Sequence, residues 1–207
     1  MADATSVLQV SPVIPVVTID DPQHAVPLAQ ALVDGGIRII ELTLRTDSAL
    51  ISLKRIANEV PGILVGAGTV LAPGQAYAAV SAGAQFLVSP GMTPTLLDYM
   101  LTLNVPVLPG VATVGEAMAV LERGLAAMKF FPAGPAGGPS YLTAVGAPIP
   151  QARFCPTGGV TLASAPDYLS LPNVSCVGGS WLTPPRAVEA NDWNHITELA
   201  REALTLG

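Results

Sequence analysis

The sequence predicts an α/β fold, a closed (β/α)8 or TIM barrel, formed by one domain over residues 1–207. Short apolar or β-branched runs alternate with helical patterns, and such alternation is typical of parallel sheets with right-handed crossovers. Eight strand patterns can be counted, each short enough to be buried on both faces. A doubly wound open sheet is the alternative. It does not need an eighth unit, and no G-x-G-x-x-G motif follows the first strand.

The first four units each combine an apolar strand with a helical pattern. Asp20, Asp21 and Pro22 mark the start of the first helix, and Gly or Pro terminates most of the others. The predicted strands cover residues 13–19, 37–42, 63–66 and 85–88. The helices that follow them cover residues 22–33, 47–60, 75–81 and 94–103.

The last four units continue the same alternation. The sixth strand is brief and apolar and is closed by Pro132, which favours a buried strand over a helix. The predicted strands cover residues 105–108, 125–131, 152–155 and 174–177. Their helices cover residues 114–124, 140–145, 162–168 and 193–206.

Composition excludes several classes of partner. Half of the residues are hydrophobic and 12% are charged, which indicates an enclosed sheet with a subunit interface added. No apolar run reaches the ~18–20 residues of a membrane span. A net charge of −6 without a basic cluster argues against nucleic acid and anionic membranes. The N-terminus, with Asp3, has no basic signal region, so we expect a cytoplasmic protein.

Metal ligands are not predicted. Cys155 and Cys176 lie in separate strand-like runs, and His24 and His195 stand alone, so no pair has metal-ligand spacing. We therefore expect no metal and no cofactor, and two buried, reduced thiols.

The sixth strand carries the most informative residue, Lys129, which is one of only two lysines in the chain. Lys54 belongs to a polar-faced helical pattern and is predicted to be a surface charge. Lys129 instead lies among Met128, Phe130 and Phe131. Burial favours the neutral form of an amine, and a neutral amine is a nucleophile toward carbonyl groups. The alternative is a lysine whose ammonium group reaches solvent from the strand end.

The ends of the second, third and fourth strands supply further polar groups, because catalytic residues of these barrels lie at the carboxyl ends of the strands. Glu41 follows an apolar run and suits proton transfer, and Arg45 can bind a carboxylate through two hydrogen bonds. The alternative is that these two residues pair with each other. The Gly-rich third strand end would allow close approach of a ligand, with Thr69 as a donor; the alternative is a tight turn that needs Gly. The fourth strand end is predicted chiefly as a turn, in which Pro90 is a candidate for a pocket wall.

Gly-rich turns follow the seventh and eighth strands. They contain Gly158-Gly159 and Gly178-Gly179, and free amide groups in such turns favour an anion. Two of them at these positions predict a phosphate site; the alternative is two tight turns without a ligand. An amine, a carboxyl group, an arginine and a phosphate site predict Schiff-base chemistry on a phosphorylated compound that also has a carboxylate.

Five segments resemble the 2-keto-3-deoxy-6-phosphogluconate (KDPG) and 4-hydroxy-2-oxoglutarate (KHG) aldolase family, a family of class I enzymes. The resemblance extends from about residue 12 to residue 204, and its motifs are long and in the family's order. The five segments are residues 35–46, 65–70, 129–133, 153–159 and 178–181.

This resemblance implies roles for the residues singled out above. Lys129 matches the Schiff-base lysine and Glu41 the acid/base. It implies pyruvate-carboxylate binding by Arg45 and Thr69. It also implies a phosphate site formed by Thr157, Gly158, Gly159 and Ser180, and pocket walls formed by Phe131 and Pro90.

The resemblance also implies a substrate and an assembly. The substrate is a phosphorylated 2-keto acid, KDPG, cleaved to pyruvate and glyceraldehyde 3-phosphate in the Entner–Doudoroff pathway, and the protein is a homotrimer without a cofactor. Gly134 stands where many members have an acidic residue, which leaves the stereochemical preference open. Three alternatives stay open: a KHG aldolase, a phosphosugar isomerase or epimerase with Lys129 as an electrostatic contact, and an inactive barrel that senses a phosphorylated acid.

Overall fold

The computed structural model describes residues 4–207. Residues 1–3 lie outside the described residues, and they include Asp3, which was used to predict the cellular location. Parallel strands alternate with helices throughout. The strands are β1 Val13–Val17, β2 Ile39–Thr43, β3 Leu64–Gly68, β4 Phe86–Val88, β5 Val107–Leu108, β6 Gly110–Val111, β7 Ala127–Phe130, β8 Arg153–Pro156 and β9 Val177–Gly179. The helices are α1 Ala25–Asp34, α2 Ala49–Glu59, α3 Pro73–Ser81, α4 Pro94–Leu101, α5 Val114–Leu121, α6 Gly138–Gly146, α7 Ala165–Leu169, α8 Pro185–Glu189 and α9 Trp193–Leu204.

The strands close into a barrel. β1 pairs with β2 on one side and with β9 on the other, and the pairing continues in chain order from β2 to β5. Only Pro109 separates β5 from β6, so these two segments form one interrupted barrel strand. β6 pairs with β7 and β7 with β8, and a bridge between Thr157 and Gly178 joins β8 to β9. The prediction of a (β/α)8 barrel is confirmed.

Some element boundaries differ from those predicted. The first helix is preceded by a 3₁₀ turn over Pro22–His24, in which the Asp21 carboxylate accepts a hydrogen bond from the Gln23 amide. The seventh helix is only Ala165–Leu169. A further helix, α8, occupies the Pro-rich segment for which the sequence made no prediction, because Pro is tolerated in a first helical turn.

Large apolar side chains fill the barrel and the layer between the strands and the helices. Phe86, Phe130 and Phe154 are fully buried. Gly66 leaves the space that the Phe86 ring occupies, since a Cβ at Gly66 would overlap that ring. No helix within residues 4–207 is long and apolar enough to cross a membrane.

Candidate active site

The centre of the site is a buried ion pair between two strands that are 88 positions apart in sequence. Lys129 lies on β7 and Glu41 on β2, and Lys129 Nζ donates a hydrogen bond of 2.9 Å to Glu41 Oε1. Both residues are almost enclosed, with 5% of Lys129 and 3% of Glu41 exposed. A buried charge needs a partner of opposite sign, and here Lys129 and Glu41 are partners of each other.

Glu41 can take this position because the neighbouring strand lacks a side chain there. The Glu41 carboxylate occupies the space beside Gly68, at the end of β3, where an added Cβ would lie 2.6 Å from Glu41 Cγ and closer still to Oε1. The sequence analysis interpreted the small residues of β3 as room for a ligand. The structure gives a different reason, because the chain's own side chains fill the space at Gly66 and at Gly68.

Phe131 connects this pair to a cavity. The centroid of its ring lies 5.5 Å from Lys129 Nζ, and the ring also lines a cavity of about 190 Å³. Six of the residues predicted for the site line this cavity: Arg45, Phe131, Thr157, Gly158, Gly159 and Ser180. The barrel therefore brings the predicted carboxylate-binding arginine and the predicted phosphate turn to one opening beside the lysine.

The turn after β8 is built to present main-chain amide groups. Gly158 has φ +93° and Gly159 φ +80°, a region that residues with a side chain rarely adopt. The carbonyl group of Gly158 accepts a hydrogen bond from Gly134 N. Within residues 4–207, the amide groups of Gly158, Gly159 and Val160 donate to no protein acceptor. Unpaired amides around one opening favour an anion such as a phosphate.

Arg45 is exposed and lines the cavity. The ion pair between Arg45 and Glu41, which was the alternative in the sequence analysis, does not form, because Glu41 pairs with Lys129. Among the described residues Arg45 has no ion-pair partner, so its guanidinium group is available to a ligand. Lys54, the other lysine, is exposed on α2 as predicted.

Thr69 and Pro90 are not among the residues that line this cavity. Thr69 follows β3 directly and has φ +59°, a strained conformation for a β-branched residue. Such strain clusters at ligand sites. Its hydroxyl group has no hydrogen-bond partner within the described chain. Pro90 follows β4 by two residues, and its carbonyl group packs so closely on Gly110 that a Cβ there would overlap it.

The two cysteines are buried and free, as predicted. A hydrogen bond with the Cys155 side chain and complete burial raise the pKa of the Cys176 thiol well above its ordinary value. The Cys176 thiol therefore stays protonated at neutral pH. No cluster of metal-ligating side chains lies within residues 4–207.

The sequence analysis missed Val16 and Thr18, which line the cavity from the end of β1. All site residues predicted from the sequence belong to later strands, and none was assigned to the end of the first strand. The signal was present, because Thr18 is a hydroxyl residue at the carboxyl end of a barrel strand.

Comparison with known proteins identifies the family of this chain. Residues 4–199 match the family model for KDPG and KHG aldolases. The KHG/KDPG aldolase of Escherichia coli K12 is 50% identical over 201 residues, which cover 97% of this chain and 94% of that protein. The 2-dehydro-3-deoxy-phosphogluconate aldolase of Dickeya dadantii is 49% identical over the same shares of the two chains.

Solved structures of KDPG aldolases superpose on this chain. The KDPG aldolase of Legionella pneumophila, with pyruvate captured at low pH as a covalent carbinolamine intermediate, superposes with a TM-score of 0.96 at 46% identity, covering 98% of both chains. The 2-keto-3-deoxy-6-phosphogluconate aldolase of Zymomonas mobilis ZM4, with 3-phosphoglycerate, superposes with a TM-score of 0.93 at 45% identity, covering 99% of this chain and 96% of that one. On this evidence, the chain belongs to the KDPG and KHG aldolase family.

Proposed function

We propose that this protein is a class I aldolase that cleaves KDPG to pyruvate and glyceraldehyde 3-phosphate, as one domain over residues 1–207, in the Entner–Doudoroff pathway. The observation that carries the proposal is the 2.9 Å contact between Lys129 Nζ and Glu41 Oε1, enclosed in the barrel beside an opening that contains an arginine and unpaired amides. An amine and a carboxyl group in contact suit the formation and breakdown of an imine.

Lys129 forms the covalent bond. Glu41 accepts a proton from Nζ, which leaves a neutral amine and a carboxylic acid in contact. The amine attacks the C2 carbonyl group of KDPG to give a carbinolamine. The Glu41 proton then goes to the departing hydroxyl group, so water leaves the carbinolamine and a protonated imine remains. The Glu41 carboxylate is regenerated in this step and is ready to act as a base.

Carbon–carbon cleavage follows. The Glu41 carboxylate, directly or through one water molecule, removes the proton of the C4 hydroxyl group. The C3–C4 bond breaks, its electron pair moves into the protonated imine, and glyceraldehyde 3-phosphate is released. Glu41 returns its proton to C3 of the remaining enamine, and water then releases pyruvate from Lys129. A positioned acid/base of this kind contributes about 10²–10⁴-fold to the rate.

The two ends of the substrate have separate binding groups. Arg45 and the hydroxyl group of Thr69, neither of which has a side-chain partner among residues 4–207, bind the C1 carboxylate. The free amides of Gly158 and Gly159, with the hydroxyl groups of Thr157 and Ser180, bind the C6 phosphate. Phe131 forms the wall between the lysine and the phosphate turn, and Pro90 stays a predicted wall residue.

Cleavage of KHG to pyruvate and glyoxylate is a second candidate activity. It is favoured by the E. coli relative, whose name contains both substrates, and by the fact that it uses the same lysine and carboxyl group. The ratio of kcat/KM on the two substrates decides which activity dominates. An isomerase or a sensor of a phosphorylated acid would form no covalent adduct with pyruvate.

A homotrimer in the cytoplasm is part of the same proposal. Large apolar side chains are exposed on α2, on α3 and just before α3, and these two helices contact each other. Exposed apolar surface of this kind supports an oligomer. The exposed side chains are Leu50, Ile51, Leu71 and Tyr77. Light scattering of the purified protein gives the subunit number; a monomer at micromolar concentration would contradict the trimer without affecting the chemistry.

Trapping with borohydride tests the Schiff base. The protein is mixed with pyruvate and borohydride, and the intact mass is measured before and after proteolysis. We expect a gain equal to one reduced pyruvate on the peptide that contains Lys129. Because the chain has only one other lysine, Lys54→Arg is the matched control and should still be labelled. A folded protein that is not labelled at Lys129 would overturn the aldolase proposal.

A further inference from the structure

Thr18 lies at the junction of two cavities. It follows β1 directly and lines the 190 Å³ cavity that contains Arg45 and the phosphate turn. It also lines an adjoining cavity of about 480 Å³, which shares Val16 and Ser180 with the first. A ligand held by Arg45 and the phosphate turn therefore lies beside this residue.

A chain of hydrogen bonds orients the Thr18 hydroxyl group. Its oxygen lies 2.8 Å from Thr43 Oγ1, and Thr43 Oγ1 donates to the carbonyl group of Val17 at 3.1 Å. Thr43 is fully buried and has one hydroxyl hydrogen, which the Val17 carbonyl group uses. Either hydroxyl group can donate in the contact between Thr18 and Thr43, but donation by Thr18 is the arrangement that satisfies both contacts, because the opposite direction would leave two acceptors facing each other at 3.1 Å.

The consequence is a hydrogen-bond acceptor at the cavity. With its hydrogen directed to Thr43, the Thr18 oxygen presents only lone pairs to the opening. Arg45 and the unpaired amides of Gly158 and Gly159 can only donate. Anionic groups of a ligand suit these donors, whereas Thr18 suits a hydroxyl group that donates.

We propose that Thr18 is a specificity-determining residue that accepts a hydrogen bond from the C5 hydroxyl group of the substrate. This rests on the proposed function, in which C2 is bonded to Lys129, the C4 hydroxyl group is held by Glu41 and the C6 phosphate lies in the glycine turn. Under those assignments the C5 hydroxyl group is the one donor of KDPG that still lacks a partner. It belongs to the part of the substrate that passes Thr18.

The same geometry disfavours KHG. That substrate carries a carboxylate at C5, which has no hydrogen to donate and would face the lone pairs of Thr18. Two acceptors in contact leave a polar group unpaired, which is unfavourable. Thr18 therefore shifts the preference toward the longer, hydroxylated and phosphorylated substrate, independently of the phosphate turn.

The test compares Thr18→Val with Thr18→Ser on three substrates: KDPG, its 5-deoxy analogue and KHG. Valine has the shape of threonine without the acceptor, and serine retains the hydroxyl group. Thr18 is exposed, so both variants are expected to fold; circular dichroism and the melting temperature check this. We expect kcat/KM of Thr18→Val on KDPG to fall by about 3- to 10-fold, the usual effect of one hydrogen bond. Activity on the 5-deoxy analogue and on KHG should not fall, and Thr18→Ser should resemble the wild type on all three.

An equal loss on KDPG and on its 5-deoxy analogue, or no loss on KDPG, would overturn the role of Thr18. The wild-type protein in the same assay separates this result from the larger proposal. If the wild type cleaves neither KDPG nor KHG, the proposed function itself fails, and the role of Thr18 fails with it. If the wild type cleaves KDPG but Thr18→Val has the same substrate profile, only the role of Thr18 is excluded.

Discussion

The two ends of the site are built in opposite ways. At the keto end, Lys129 and Glu41 are side chains in direct contact at 2.9 Å, and both are almost completely enclosed. At the phosphate end, the groups are mainly main-chain amides of Gly158 and Gly159 in a turn that is partly open to solvent. One end depends on which side chains are present, and the other depends on the path of the backbone.

This difference follows from the chemistry each end performs. Covalent catalysis needs a particular nucleophile and a particular acid/base, which no main-chain group can replace. Binding an anion needs only oriented donors, which the backbone supplies at no cost in side chains. We therefore expect substitutions at the keto end to abolish turnover of every substrate, and substitutions at the phosphate end to change only the preference among substrates.

The largest expected effect is that of Lys129→Ala. It removes the nucleophile, so turnover of both KDPG and KHG should be abolished while the fold survives. The substitution also leaves the buried Glu41 without its partner, and breaking a buried pair costs about 3–5 kcal/mol. Assays of both substrates together with a melting curve measure the two effects.

The matched control for Lys129→Ala is the double variant Lys129→Ala/Glu41→Gln. It removes both charges, so it should be more stable than the single variant and equally inactive. Substantial turnover by either variant, or loss of the fold in the double variant, would contradict the assigned role of the pair.

A smaller effect at the same end is expected from Gly68→Ala. The added methyl group takes the space of the Glu41 carboxylate, which must move away from Lys129. A displacement of about 1 Å can cost about 10²-fold in rate, so kcat should fall on KDPG and KHG alike. Gly115→Ala is the control, because nothing lies within 4 Å of a Cβ at Gly115. Equal kcat values for the two variants would show that the contact with Glu41 does not limit catalysis.

At the phosphate end, Ser180→Ala removes one hydroxyl donor from the cavity and leaves the backbone unchanged. We expect kcat/KM on KDPG to fall by about tenfold, as for the loss of one hydrogen bond to a charged group. The value for KHG should stay within about twofold of the wild type. Similar losses of kcat/KM on KDPG and KHG would contradict the expectation that the phosphate end affects only the preference among substrates.

The smallest effect is expected outside the site, at the start of α5. Glu116 and Thr113 form a capping box there. Burial raises the pKa of Glu116, but hydrogen bonds from the Ala112 and Thr113 amides and the Thr113 hydroxyl group outweigh it, so the pKa is below the ordinary value. A lowered pKa in the folded state contributes stability above the unfolded-state pKa, and this is lost as pH falls through the folded-state pKa.

Glu116→Gln should therefore lower the free energy of unfolding at pH 7 by about 0.5–1 kcal/mol, or Tm by about 1–4 °C. The difference in Tm should shrink as the pH falls below about 4. Activity on both substrates should be unchanged. A difference that persists at low pH would mean that Glu116 stabilises α5 through packing instead of charge.

Much of the fold could be predicted from the sequence, because the alternation of buried strands and helices is a local pattern. The boundaries of α7 were predicted less accurately, and α8 was not predicted, because Pro can terminate one element and is also tolerated in the first turn of the next. The Gly residues of β3 were noted in the sequence, but the side chains that pack against them were not predicted. Their neighbours, Phe86 and Glu41, are on other strands.

The sequence by itself determined the identity of the reactive groups: an unusual lysine in an apolar strand, a glutamate at a strand end and two glycine turns. These are properties of short segments, which can be recognised in the sequence without knowledge of the fold. Only the tertiary structure decided that Lys129 pairs with Glu41 instead of Glu41 with Arg45, and that Thr18 contacts Thr43 at the edge of the cavity. Both depend on the register and closure of the barrel, which bring together residues that the chain separates by 88 and 25 positions.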